Sequence, residues 1–74
     1  MEIAKIVGEN LRQARRAKGL TQKEVAAMLG KYQPDYSEYE TGKIELDYAK
    51  ILFLCEKLDV SPNDLFGWKG GSFE

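Results

Sequence analysis

Apolar residues recur along the chain with the three-to-four-residue spacing of helices, in five consecutive segments. In the first segment, the residues that share the inward face are Ile3, Ile6, Val7, Asn10, Leu11 and Ala14. Charged residues occupy the opposite side, and Gly19 supplies a natural stop. The pattern predicts a first helix over about residues 2–18. No segment alternates apolar and polar residues as a half-buried strand does, so the predicted fold is all-α.

Two short helices follow, separated by a tight turn. Thr21 and Glu24 have the spacing of a capping box, and a helix of about eight residues then runs to Gly30. Pro34 fits the first turn of the third helix, which Gly42 closes. The residues with inward spacing on this helix are Tyr36, Tyr39 and Glu40. For the two tyrosines, core packing is favoured over the alternative of stacking on nucleic-acid bases.

The last two helices are also marked by their caps. Asp47 is an expected N-cap for the fourth helix, whose apolar face contains Ile51, Leu54, Cys55 and Leu58. Ser61 and Asp64 form a second capping-box pattern, with Pro62 at the first helical position and Gly67 at the end. We therefore predict one compact five-helix domain over residues 1–67 and a loosely held C-terminal tail over residues 68–74.

Charge is distributed unevenly along the 74 residues, although the net charge is only −1. Residues 1–43 carry eight Lys and Arg against six acidic residues, whereas residues 44–74 carry three Lys against six. The basic residues near the end of the first helix are Arg12, Arg15, Arg16 and Lys18. They form either a solvated face or part of an electrostatic field that attracts phosphates.

Several functional classes are excluded by composition. The chain has no His and a single Cys, so it lacks the ligands of a common zinc site and forms no internal disulfide. Without His as a general base, and with no glycine-rich phosphate loop after a strand, an enzyme is not expected, and no cofactor or metal is predicted. Cys55 is interpreted as a small buried hydrophobic residue rather than a redox centre. No apolar run reaches 18 residues and no signal peptide is visible, so we expect a cytoplasmic protein without a membrane segment.

A family resemblance is carried by three ordered runs: LTQKEVAAMLG, QPDYSEYETGK and ILFLCEKLDVSPNDLF. Together they resemble the lambda-repressor/Cro-like (XRE-type) DNA-binding domain over about residues 6–66. The resemblance implies a helix-turn-helix at about residues 22–41, formed by the second and third helices of a five-helix domain. It also implies that the third helix enters the major groove of double-stranded DNA.

The resemblance also implies roles for particular residues. The expected DNA-contacting residues are Gln22, Gln33, Asp35, Ser37, Glu38, Thr41 and Lys43. Gln22 begins the second helix and Lys43 follows the third, so both suit phosphate contacts, while the others lie on the outward face of the third helix. Arg15 and Glu40 match a structural ion pair of the family that holds the recognition helix at a fixed angle.

Three residues of the expected reading surface depart from the family pattern. Tyr32 stands where relatives carry a serine or threonine cap, Asp35 replaces a small hydroxyl residue, and Glu38 replaces a basic or amide residue. Carboxylates repel phosphates, which lowers sequence-independent affinity for DNA. A carboxylate can nevertheless accept a hydrogen bond from cytosine, which suits Glu38, and Asp35 near a helix N-terminus can cap free amides.

Two functions remain open at this point. The first is a sequence-specific transcriptional regulator, a repressor that binds double-stranded DNA as a symmetric homodimer. The residues expected at the dimer contact are Val60, Phe66 and Trp68, although Trp68 also suits packing within one domain. The second is a protein-interaction or antitoxin-like module that keeps the fold, with a protein partner on the third helix and weak or no DNA binding. The acidic residues on that helix motivate this alternative.

Overall fold

The chain folds into five helices over residues 2–68, the part that this computed structural model describes. The helices are α1 (Ile3–Ala17), α2 (Gln22–Met28), α3 (Gln33–Thr41), α4 (Tyr48–Leu58) and α5 (Pro62–Phe66). No strand occurs among these residues, so the all-α, five-helix prediction is confirmed. Helix α1 is one residue shorter at each end than predicted, because Glu2 and Lys18 are its capping residues. Of the predicted tail, all but Trp68 lies outside the described residues.

Side-chain caps begin three of the helices, as their sequences predict. Thr21 and Glu24 form a complete capping box: the threonine hydroxyl accepts from the Glu24 amide at 3.1 Å, and the carboxylate accepts from the Thr21 amide at 2.8 Å. Asp47 accepts from the backbone amide three residues further on at 2.8 Å. Ser61 accepts from the Asp64 amide at 3.0 Å, which is the serine half of the predicted box. Such caps satisfy amides that a helix start otherwise leaves unpaired.

One apolar core joins the helices. Its buried members are Val7, Leu11, Val25, Ala26, Tyr36, Tyr39, Leu54, Cys55, Leu58 and Leu65. The rings of Tyr36 and Tyr39 meet edge to face at 6.3 Å between centroids, so both tyrosines are core residues and are not available for base stacking. Burial raises the pKa of the Cys55 thiol, as expected for a residue that packs rather than reacts.

Helices α1 and α3 touch at the level of their backbones. A Cβ atom added to Gly8 would lie 2.4 Å from the carbonyl oxygen of Glu40 and 2.5 Å from that of Tyr39. At the end of α3, Gly42 adopts a φ of 81°, and a Cβ there would lie 2.9 Å from the Cα of Lys5. Side chains cannot fit between the two helices at these points, so the position of α3 against α1 is tightly constrained.

Helix α1 also contacts α5. Asn10, predicted to share the apolar face of the first helix, donates a hydrogen bond through its side-chain amide to the carbonyl oxygen of Leu65 at 2.9 Å. This bond explains why a polar residue occupies an inward position. Within residues 2–68, no helix is both long and apolar enough to cross a membrane.

Candidate nucleic-acid interface

On its inward side, near its C-terminal end, α3 carries one buried carboxylate that several side chains contact. The Glu40 residue is 6% exposed and accepts hydrogen bonds from three side chains. The Arg15 guanidinium donates through Nε at 2.6 Å and Nη2 at 3.2 Å, and the Tyr36 hydroxyl donates at 2.6 Å. The Gln22 amide donates at 2.8 Å. Arg15 also donates to the carbonyl oxygen of Leu20 at 2.8 Å, so the group expected to pair with Glu40 is itself held in place.

The hydrogen bonds keep this cluster in one protonation state. Burial alone would raise the pKa of the Glu40 carboxyl, but the bonds from Arg15, Tyr36 and Gln22 outweigh it and lower the pKa below its usual range. The hydrogen bond to Glu40 raises the pKa of Arg15, while burial, followed by the same carboxylate, raises that of Tyr36. Glu40 is therefore anionic and Tyr36 is a protonated donor at neutral pH. In the described part of the chain, every buried side-chain nitrogen or oxygen atom has a partner.

Gln22 connects this cluster to the start of α3. Its amide nitrogen donates to Glu40, and its amide oxygen accepts from the Gln33 side chain at 2.6 Å. Both ends of α3 are thereby tied to the first residue of α2. The sequence suggests Gln22 as a phosphate contact, and in the structure its side chain bridges Gln33 and Glu40 of α3.

The outward face of α3 contrasts with this order. Gln33, Asp35 and Thr41 are exposed, Ser37 and Glu38 are partly exposed, and Lys43 is exposed just beyond the helix. Asp35 lies in the first turn and makes no hydrogen bond to any residue in 2–68, so its interpretation as a cap is not supported. Its charge still faces the favourable end of the helix dipole.

At the end of α3, several hydrogen-bond donors share a single backbone carbonyl oxygen. The Glu38 carbonyl oxygen accepts from the Lys43 amide at 3.0 Å and from the Ile44 amide at 3.3 Å. The Thr41 hydroxyl donates to the same oxygen at 3.3 Å. These bonds bring Lys43 back toward the helix, beside the outward face that carries the other predicted contact residues.

Tyr32, at the start of α3, is an exposed aromatic residue that is not among the predicted contact residues. It is the N-cap residue of α3, its side chain makes no capping bond, and it is 81% exposed. The sequence marks it only as a departure from the expected serine or threonine. The signal that points to it is an aromatic side chain at a cap position, where it can neither cap nor pack in the core.

The three residues expected at a dimer contact have different surroundings. Val60 is partly buried and packs against the core, whereas Phe66 and Trp68 are exposed. Phe66 lines a cavity of about 170 Å³ together with the exposed residues Ile3, Ile44 and Tyr48. The exposed apolar face that the structure offers thus extends from Phe66 toward the start of α1 and the α3–α4 connection. No group of three His, Cys, Asp or Glu residues within 2–68 could hold a metal ion.

Comparison with known proteins agrees with this architecture. A family model described as a helix-turn-helix domain matches residues 8–70. The chain is 42% identical over 66 residues to the uncharacterized HTH-type transcriptional regulator YqaE of Bacillus subtilis (strain 168), covering 89% of this chain and 55% of that protein. It is 32% identical over 62 residues to antitoxin PezA of Streptococcus pneumoniae serotype 4, covering 84% of this chain and 39% of PezA. The chain thus spans about half the length of these two relatives, or less.

A solved structure supports the same assignment. The crystal structure of the restriction-modification controller protein C.AhdI from Aeromonas hydrophila matches with a TM-score of 0.73 and 32% sequence identity, covering 84% of this chain and 94% of that one. The family model, the relatives and this fold agree with the ordered motifs of α2 and α3. The chain therefore belongs to the helix-turn-helix family of lambda-repressor/Cro-like (XRE-type) regulators.

Proposed function

We propose that the protein is a sequence-specific regulator of transcription that binds double-stranded DNA and inserts α3 in the major groove. The observation that carries the proposal is the division of α3 into a fixed inward side and an outward side with free polar groups. A helix with side chains is about 10–12 Å across, which suits a major groove about 12 Å wide. Proteins that read sequence need such groups held at a fixed position.

Gln33 is the residue whose side chain is best oriented to hydrogen-bond to a base. One hydrogen of its side-chain amide is donated to Gln22, which fixes the orientation of the group. The second hydrogen and the carbonyl oxygen remain available for an adenine edge, which presents an acceptor and a donor side by side in the major groove. Glu38 is assigned to a cytosine amino group, and Thr41 and Lys43 to phosphates.

The relatives support regulation as the role of this DNA binding. YqaE is named as a transcriptional regulator and C.AhdI as a controller protein. We propose repression, in which the domain covers its site on DNA. We further propose a homodimer that pairs through the apolar face around Phe66 and Trp68. A symmetric dimer reads two half-sites, with their centres about one helical turn, or roughly 34 Å, apart.

Selection of bound duplexes from a random pool tests this function. At low salt, where phosphate attraction is strongest, we expect enrichment of a roughly palindromic sequence. Gln33→Ala is expected to lose the preference at one position of each half-site while retaining non-specific binding. The proposal fails if no sequence is enriched by the unaltered protein under these conditions.

A second candidate function is a protein-interaction or antitoxin-like module. It is favoured by the carboxylates of Asp35 and Glu38 on α3 and by the similarity to a protein named as an antitoxin. Glu38→Gln separates the two functions, because it keeps the shape of the side chain and removes its charge. Under DNA reading the change alters the enriched sequence. Under protein recognition it weakens a protein complex and leaves duplex binding unchanged.

A further inference from the structure

A second surface, on α1, has the composition of a phosphate-binding groove. Lys5, Glu9, Arg12 and Arg16 follow one another at intervals of four, three and four residues, so they share one face of that helix. This face forms one wall of an open groove of about 730 Å³. Helices α2 and α3 form the other wall, through Gln22 at the start of α2 and through Glu40 and Thr41 at the end of α3.

The groove holds an excess of positive charge. Four cationic side chains and two carboxylates line it, and both carboxylates already contact a cation. Glu40 is bound by Arg15 at 2.6 Å, and Glu9 lies 3.6 Å from Arg12. Arg16 is exposed and pairs with no carboxylate among residues 2–68. A surface ion pair such as Glu9–Arg12 is weak, so the field of Arg12 and Arg16 extends to solvent.

The groove is continuous with the proposed DNA surface. Gln22 holds Gln33 in place for base reading, and Thr41 ends the outward face of α3; both also line the groove. The arginines of α1 therefore line a groove that adjoins the proposed DNA-contacting face of α3. We propose that this groove carries the phosphodiester backbone of the bound duplex, with Arg12 and Arg16 contacting its phosphates. This inference rests on the proposed DNA-binding function.

The shape of the groove favours a polymer over a single anion. A site for an isolated phosphate surrounds it with converging donors, whereas these cations stand in a row along α1 and face open solvent. A row of cations complements a row of phosphates and adds affinity that is independent of sequence. Arg12 and Arg16 thus set how tightly the domain binds any duplex, while α3 sets which duplex it prefers.

Arg12→Gln and Arg16→Gln test the groove, with Lys57→Gln as the matched control. Lys57 lies on α4, outside the groove, and its replacement removes the same charge. Binding of the full chain to a specific and to a random duplex is measured across salt concentrations. Each arginine variant is expected to reduce the slope of log affinity against log salt by about 0.9. At 0.1 M salt this corresponds to a loss of roughly fivefold to tenfold on both duplexes.

Glu9→Gln gives a test of opposite sign. It removes the carboxylate beside Arg12, so we expect tighter binding to both duplexes and a steeper salt dependence. Loss of folding cannot produce tighter binding, so this result would not be an artefact of instability. Thermal unfolding of all four variants checks that the arginine and lysine replacements leave the fold intact.

The possible outcomes distinguish a failure of the groove inference from a failure of the proposed DNA-binding function. If the unaltered protein binds no duplex at low salt, the proposed function itself fails. If it binds DNA but the Arg12 and Arg16 variants keep the salt slope of Lys57→Gln, the groove does not carry phosphates and the inference is overturned. A change in affinity for the specific duplex alone would also overturn it, because that pattern indicates base reading.

Discussion

The inward and outward sides of α3 differ in how their polar groups are satisfied. On the inward side, Glu40 accepts hydrogen bonds from residues of three helices: Arg15 of α1, Gln22 of α2 and Tyr36 of α3 itself. On the outward side, Asp35 makes no hydrogen bond to any residue in 2–68, and Glu38 is partly exposed. One side of this nine-residue helix is a closed network, whereas the other is exposed or partly exposed and joins that network only through Gln33 at its first residue.

This difference assigns separate tasks to the two sides. A buried carboxylate with its donors is a weak source of net stability, but loss of either partner leaves an uncompensated charge in the core. Such a cluster therefore specifies one position of the helix. Exposed groups cost little to change, and under the proposed function they determine which DNA sequence α3 prefers. Substitutions on the two sides should consequently differ in kind as well as in size.

Glu40→Gln is expected to have the largest effect. It leaves the Arg15 guanidinium buried without its counter-ion, which costs about 3–5 kcal/mol in the free energy of unfolding. For a domain whose whole stability is about 5 kcal/mol or slightly more, this is most of the total. Urea denaturation measures the change. Tyr36→Phe removes only one donor, about 1 kcal/mol, and remains measurable if Glu40→Gln does not fold.

Acidification provides a second test of the same carboxylate. Because folding lowers the pKa of Glu40, its contribution is fully present above the unfolded value of about 4.3 and is lost as the pH falls through the lower folded value. We expect the difference in unfolding free energy between the unaltered protein and Glu40→Gln to be constant from pH 7 to about 5 and to shrink below about 4.3. The other carboxylates are common to both proteins, so they cancel in this difference. A gap that stayed constant to pH 2 would contradict a lowered pKa.

Gly8→Ala tests the backbone contact that supports the inward side. In an exposed helix interior this change stabilises by roughly 1 kcal/mol, because alanine is the better helix former. Here the added Cβ would lie 2.4 Å from the Glu40 carbonyl oxygen, so we expect destabilisation of about 1–3 kcal/mol instead. Glu9→Ala, on the exposed side of α1, is the control for helix propensity. Stabilisation by Gly8→Ala in thermal unfolding would show that α1 and α3 are not held in backbone contact.

Asp35→Asn is expected to have the smallest effect on folding. The side chain is exposed and unbonded within residues 2–68, so the unfolding free energy should change by no more than about 0.5 kcal/mol. On the proposed DNA-contacting face, removal of this negative charge should nevertheless tighten duplex binding, most clearly at low salt. Fluorescence anisotropy with a labelled duplex measures this. Weaker duplex binding would mean that the carboxylate itself accepts a hydrogen bond from DNA.

The sequence predicts those features that depend on neighbouring residues. The Thr21–Glu24 capping box, the Asp47 cap and the closing turn at Gly42 each follow from short patterns whose chemistry is local. Helical spacing predicts much of the core, including the buried Tyr36 and Tyr39. It is wrong for Ile3, which it places inward and which is exposed at the start of α1. The Arg15–Glu40 pairing came from the family resemblance, because 25 residues separate its partners.

Features that depend on the packing of helices were not predicted. The bond between Gln22 and Gln33 joins two residues that were each expected to face DNA separately. The sequence does not indicate the contact of Gly8 with α3, since a glycine within a helical pattern ordinarily indicates only a less stable helix. The sequence shows the basic residues of α1 as a cluster. It does not predict the groove, because Gln22 and Thr41 of the opposite wall are brought close to them only by the fold.

The backbone contact at Gly8 also bears on how this protein can change over evolutionary time. Where two helices are separated by side chains, each change in core volume shifts their spacing and angle. Around Gly8 and Gly42 the chain itself sets the distance between α1 and α3. Core residues elsewhere can therefore be exchanged without rotating α3 against α1. A lineage carrying this contact is free to diversify the outward face of α3 and the core independently, so new surface chemistry can arise without a new scaffold.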